Sequence, residues 1–148
     1  QSGVGRGLFS VETLGAIHAR LRAAFEAGGA PFDGLYYCPH HPDDGCACRK
    51  PGTAMVEKAV ADLRLDLFRA YVLGDQRRDV DLARRIGAKG ILVTTGPTST
   101  QALEELRQEG AGPDYVATDL GQAVTWLLAD AGQPADRVPG RTSMQFGQ

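Results

Sequence analysis

Apolar residues recur along this chain in two rhythms, one helical and one strand-like, with glycine, proline or short polar runs between them. Leu14, Ile17, Leu21 and Phe25 return at three- and four-residue steps behind Ser10 and Glu12, which predicts a capped helix stopped by Gly28-Gly29. Gly34-Leu35-Tyr36-Tyr37-Cys38 reads as a short buried strand. Met55, Val56, Ala59, Val60 and Leu63 predict the next helix, and Ala70 to Leu73 a second strand ending at Gly74-Asp75. Val80, Ala83 and Ile86 predict a helix closed by Gly87. Gly90 to Thr94 is almost continuously apolar, as central parallel strands are. Beyond it the pattern predicts a helix from about Thr98 to Glu109, an edge strand over Asp114 to Ala117, and a last helix carrying Leu120, Val124, Leu127 and Leu128.

This alternation predicts the α/β class, a three-layer Rossmann-like parallel sheet with right-handed crossovers. One domain is expected over residues 1–131, and the Pro-, Gly-, Arg- and Gln-rich residues 132–148 read as a disordered tail. With 148 residues, 43% of them hydrophobic, the chain can bury one core. A net charge of −2 argues against a general nucleic-acid or membrane-surface binder, and no apolar run approaches spanning length. A monomer without nucleic-acid or membrane partners is expected.

Parallel sheets place ligands at the carboxyl ends of their strands, and the chemistry-bearing residues fall there. Cys38-Pro39-His40-His41-Pro42-Asp43-Asp44-Gly45-Cys46-Ala47-Cys48-Arg49-Lys50-Pro51 holds all three cysteines and two of the three histidines. Three thiolates and one imidazole are the set a closed, tetrahedral structural zinc prefers. Cys38, His40, Cys46 and Cys48 are the expected ligands, His40 because Cys-x-His mirrors Cys-x-Cys; His41 stays open as the alternative. A disulfide framework fits an odd cysteine count poorly, and clustered reduced thiols fit a cytoplasmic protein. Arg49 and Lys50, next along the chain, would be held rigidly and could bind an anion.

Gly74-Asp75-Gln76-Arg77-Arg78-Asp79 follows a buried strand, so Asp75 projects into the cleft with Asp79 near it at the start of a helix. Carboxylates so placed suit magnesium, Asp75 as ligand and Asp79 in the surrounding shell. Acidic residues complementing a helix dipole are the equally ordinary alternative. The Gly-rich start, Gln1-Ser2-Gly3-Val4-Gly5-Arg6-Gly7, could offer N–H groups to a phosphate or be a flexible end. His18 reads as a boundary residue, Trp126 as packing, and the charges from Arg77 to Arg85 as a solvated helix face.

Taken together, Tyr36-Tyr37-Cys38-Pro39-His40-His41-Pro42, Cys46-Ala47-Cys48-Arg49-Lys50-Pro51 and Gly74-Asp75 with Asp79 resemble the haloacid dehalogenase superfamily. Within it they are most similar to the zinc-loop phosphatases acting on heptose bisphosphate and histidinol phosphate. Gln1-Ser2-Gly3 with Gly5-Arg6-Gly7 looks like the end of that family's Thr-Asn-Gln-Ser-Gly segment, so the resemblance spans about residues 1–96. It implies structural Zn2+ on Cys38, His40, Cys46 and Cys48, catalytic Mg2+ on Asp75, and a small phosphorylated metabolite as partner. Lys50 and Arg49 would carry the catalytic charge, and Gln1, Ser2, Gly3, Arg49, Lys50 and Gln76 would contact substrate. The implied reaction removes the 7-phosphate of D-glycero-D-manno-heptose 1,7-bisphosphate through an aspartyl-phosphate, with histidinol phosphate as the alternative substrate. The family's Asp-x-Asp on the central strand has no counterpart, since Asp79-Val80-Asp81 lies at a helix start. The expectation is a carboxyl-terminal portion of a phosphatase lacking the first, central strand, or else a noncatalytic zinc-stabilised module.

Overall fold

The structure is a computed structural model, and residues 1–132 are described. The expected tail lies outside the described residues apart from Gly132. The chain falls into two compact units, Gln1–Leu65 and the one beginning at Asp66.

The first unit holds a short helix α1 (Ser2–Gly5), a long helix α2 (Val11–Ala27), a 3-10 turn (Pro42–Asp44) and helix α3 (Ala54–Leu63). Ser10 caps α2 as expected, its Oγ accepting from the Thr13 amide, and Gly28 ends it. Only Leu14 of this helix is buried; Ile17, Leu21 and Phe25 remain 43–53% exposed, so the apolar stripe is only partly covered. Phe25 packs edge-on against Phe32, and His18 sits at the boundary against the Tyr37 ring. The strand expected at 34–38 does not form. A strand exists through a backbone ladder, and among the described residues no strand pairs with this segment. The glycine-rich start is a helical turn rather than an open loop. There a Cβ on Gly5 would meet the His41 amide nitrogen at 2.2 Å, so glycine is what allows α1 to lie against the cysteine loop.

The second unit is a parallel sheet of three strands, β1 (Tyr71–Gly74), β2 (Lys89–Val93) and β3 (Tyr115–Ala117), in the order β1-β2-β3. Helix α4 (Arg77–Ile86) links the first pair, α5 (Ser99–Gln108) the second, and α6 (Leu120–Ala131) follows β3. Strand β2 is central and almost wholly buried, and its alternation divides the core. Leu92 joins Val80, Leu106 and Ala111 on the α4/α5 side, while Ile91 and Val93 join Ala117, Ala123, Trp126 and Leu127 on the α6 side. Helices on both faces of a parallel sheet make the expected three layers, with β3 at the expected edge. The packing face of α6 agrees with the expected one in part. Leu127 packs with Ala123 and Trp126, whereas Leu120, Val124 and Leu128 are 42–65% exposed. Trp126 packs as expected, stacked on Tyr115 at 4.8 Å between ring centroids.

Candidate metal centre and phosphate site

The four expected zinc ligands come together within the loop that follows Cys38. His41 starts its turn: the His41 amide donates to Asp44 Oδ2 at 2.8 Å, and the His41 ring Nδ1 accepts from the Asp43 amide at 3.3 Å. Gly45, at φ 60°, then reverses the chain so that Cys46 and Cys48 return beside Cys38 and His40. Cys38 Sγ lies 3.4 Å from Cys46 Sγ and 3.5 Å from His40 Nδ1, which is 3.1 Å from Cys48 Sγ. All four donor atoms fall within 4.8 Å of one another. A tetrahedron with zinc–sulfur bonds of about 2.3 Å has edges of about 3.8 Å, and the donor separations, from 3.1 Å to within 4.8 Å, bracket that length. The donor chemistry and spacing fit zinc. His40 is the histidine whose ring Nδ1 lies among the three sulfurs, whereas the His41 Nδ1 accepts from the Asp43 amide.

Hydrogen bonds among these donors also shift two of the thiols. Burial pushes Cys46 up, but hydrogen bonds with Cys38, Cys48, the Arg49 backbone and His40 outweigh it and draw the thiol down to about 7. Cys48 is pushed up to about 12 by its hydrogen bond with Cys38, by burial and by Cys46. Metal binding would release the thiol protons and leave the sulfurs as thiolates.

Arg49 and Lys50 sit between this cluster and α3, both half-buried. The Gly52 amide donates to the Arg49 carbonyl at 2.7 Å and the Ala54 amide to the Ala47 carbonyl at 3.3 Å, closing a tight turn across the cis Lys50–Pro51 bond. A Cβ on Gly52 would meet the Ala47 oxygen at 2.2 Å, so the turn closes at that radius only with glycine. Of the glycine-rich start, the Gln1 nitrogen reaches the Cys38 carbonyl at 2.9 Å, and Ser2 and Gly3 lie in α1.

In the second unit, Asp75 directly follows β1 and is half-buried at the carboxyl end of the sheet. Gln76 and Asp79 form a capping box: the Gln76 side chain takes the Asp79 amide, and Asp79 Oδ2 accepts from the Gln76 amide at 3.1 Å. Asp79 is only 3% exposed, and a Cβ on Gly74 would lie 2.2 Å from its Cγ. The cap reading of Asp79 therefore has direct geometry, with its carboxylate engaged in starting α4. Arg77 is partly solvated but carries more than a solvated face, because it bridges Asp81 on α4 to Glu109 just beyond α5. Gly96 is the residue that sequence reasoning missed. A Cβ there would lie 2.3 Å from Asp75 Oδ2, and the available signal was a Gly-Pro pair just beyond an apolar strand.

The HAD-hydrolase-like sequence family matches residues 47–123, a span that takes in Cys48, Lys50, Asp75 and Gly96. The chain belongs to this family. It is 40% identical over 138 residues to the D-glycero-D-manno-heptose-1,7-bisphosphate 7-phosphatase of Thermosynechococcus vestitus, covering 86% of this chain and 70% of that protein. It is 41% identical over 96 residues to D-glycero-beta-D-manno-heptose-1,7-bisphosphate 7-phosphatase of Pseudomonas putida, with 65% of this chain and 55% of that protein covered. Among solved structures it resembles D,D-heptose 1,7-bisphosphate phosphatase from B. bronchiseptica, complexed with magnesium and phosphate. The TM-score is 0.76 at 37% identity, across 88% of this chain and 71% of that one. A putative HAD-like phosphatase from Mesorhizobium loti, 23% identical with a TM-score of 0.64 over 91% of this chain and 65% of that one, shares the fold. The chain thus spans between about half and three quarters of these relatives' lengths. No helix among the described residues is long and apolar enough to cross a membrane.

Proposed function

We propose that this chain is the zinc-loop and acidic-motif part of a magnesium-dependent phosphatase that removes the 7-phosphate of D-glycero-D-manno-heptose 1,7-bisphosphate. The observation that carries the reading is the likeness, TM-score 0.76 at 37% identity, to a heptose bisphosphate phosphatase holding magnesium and phosphate. The residues here suit that chemistry. Asp75 offers magnesium a hard oxygen ligand and leaves the rest of the shell to water and phosphate. A bound ion would polarise the phosphoryl oxygens and offset charge gathering on them. Lys50 and Arg49 would add fixed positive charge in a braced turn, and preorganised charge of this kind commonly lowers the barrier more than any other single effect. Cys38, His40, Cys46 and Cys48 would hold structural zinc, closed to substrate. Gln1, Ser2, Gly3 and Gln76 would contact the sugar phosphate.

The attacking group in this family's reaction is an aspartate on an Asp-x-Asp strand, which forms an aspartyl-phosphate. The sequence has its only Asp-x-Asp at Asp79-Val80-Asp81, inside a helix. The reading therefore assigns the nucleophile to sequence ahead of Gln1. The test is phosphate release from heptose 1,7-bisphosphate, with histidinol phosphate alongside, by a protein that carries such a strand before this chain. Magnesium-dependent release, preferring the heptose ester and falling at least about a hundredfold in Asp75→Asn, is expected. Equal turnover by Asp75→Asn would remove that residue from the magnesium site, and a preference for histidinol phosphate would overturn the substrate assignment.

A further inference from the structure

The geometry points to Gly96 as a positioning residue that sets where the Asp75 carboxylate can hold a cation, an inference that rests on the reading of Asp75 given above. Beyond β2 the chain turns through Thr94 to Ser99, and this turn is held at both ends. The Thr94 amide and hydroxyl both donate to the Ala117 carbonyl, at 2.8 and 3.1 Å. Ser99, fully buried, donates its hydroxyl at 2.7 Å and its amide at 3.2 Å to the Gly96 carbonyl. Gly96 so held presents its bare Cα to Asp75. A Cβ there would lie 2.3 Å from Asp75 Oδ2, 2.8 Å from its Cβ and 2.9 Å from its Cγ. Rotating the carboxylate relieves the first contact but not the second, because the Asp75 Cβ is bonded to backbone that directly follows a paired strand. Any side chain at 96 therefore moves the whole of Asp75. Magnesium demands near-ideal geometry at about 2.0–2.1 Å, so a displaced ligand loses affinity rather than adapting.

The test is a titration of the 148-residue protein with Mn2+, an oxygen-seeking ion whose paramagnetism broadens the amide signals of Asp75 and residue 96. Wild type, Gly96→Ala, Asp75→Asn and Gly112→Ala are compared, the last because a Cβ at Gly112 meets nothing within 4 Å. Gly96→Ala is expected to need about tenfold more Mn2+ or beyond, the usual effect of a lost supporting contact. Gly112→Ala should follow wild type, Asp75→Asn should lose the response, and zinc content should stay constant throughout. Gly96→Ala titrating with wild type, beside a lost response in Asp75→Asn, would overturn the inference and leave the Asp75 reading standing. Asp75→Asn titrating with wild type would sink both. Should Gly96→Ala fold too poorly to titrate, adding Asp75→Gly should raise its urea midpoint by removing the clash; an unrecovered midpoint overturns the inference.

Discussion

At the scale of single residues, Cys46 is where dependence of the loop on metal can be tested. Its sulfur lies 3.4 Å from Cys38 Sγ, and the four donor atoms of Cys38, His40, Cys46 and Cys48 fall within 4.8 Å of one another. Zinc binding is folding free energy for such a loop, because the ligands are not assembled in the unfolded chain. Purified protein is expected to carry about one zinc per chain by elemental analysis. Chelation or Cys46→Ser should loosen residues 38–51 and shift the amide signals of Arg49 and Lys50. Metal-free protein with an unchanged loop spectrum would contradict this. Residue types and spacing were enough to pick out the cluster from sequence. The sequence favoured His40 by its Cys-x-His spacing and left His41 open; that the turn at Pro42–Asp44 takes up the His41 Nδ1 is a tertiary detail no spacing supplies.

At the scale of elements, the α6 side of the sheet is tied by a polar group under the Trp126 ring. Lys89 on β2 donates to both Asp130 oxygens on α6, at 2.7 and 2.6 Å, and Tyr71 on β1 donates to the same carboxylate. Lys89 and Tyr71 hold the Asp130 carboxyl below its ordinary 3.8, while burial and Asp130 push Tyr71 up to about 12. A depressed carboxyl adds stability above its unfolded pKa and loses it as pH falls through the folded one. A raised phenol adds stability below its unfolded pKa and loses it as pH rises toward the folded one. The contribution should thus be flat between about pH 5 and 9 and fall away on either side. Asp130→Asn should cost about 1 kcal/mol on that plateau, discounted for partial exposure, with wild type and variant converging in acid. Urea unfolding across pH checks it, and a pH-independent gap down to about pH 2 would be wrong for this mechanism. Leu92→Ala, in the fully buried centre of β2, should cost about 2–5 kcal/mol by the same measurement.

At the scale of the whole molecule, the 148-residue chain alone is expected to release no phosphate from heptose 1,7-bisphosphate, histidinol phosphate or an aryl phosphate. Arg49, Lys50 and Asp75 can bind anion and cation, but covalent catalysis also needs a positioned attacking group. Magnesium-dependent turnover at the rate of a protein carrying the Asp-x-Asp strand would mean that a residue read as structural is the nucleophile. The sequence by itself determined the α/β alternation, the helix and strand order from Ala54 onward, the cluster of cysteine and histidine donors and the family, because periodicity, residue chemistry and short-range spacing are local properties. Tertiary structure decided the rest. Residues 34–38 are apolar enough for a strand, but a ladder needs a neighbour that no local pattern supplies. Leu120, Val124 and Leu128 are as hydrophobic as Ala123, Trp126 and Leu127, and only packing against the sheet selects the face that is buried. Gly96 meets Asp75 across 21 residues of chain, a contact set by the parallel pairing of β1 with β2 and invisible until those strands lie side by side.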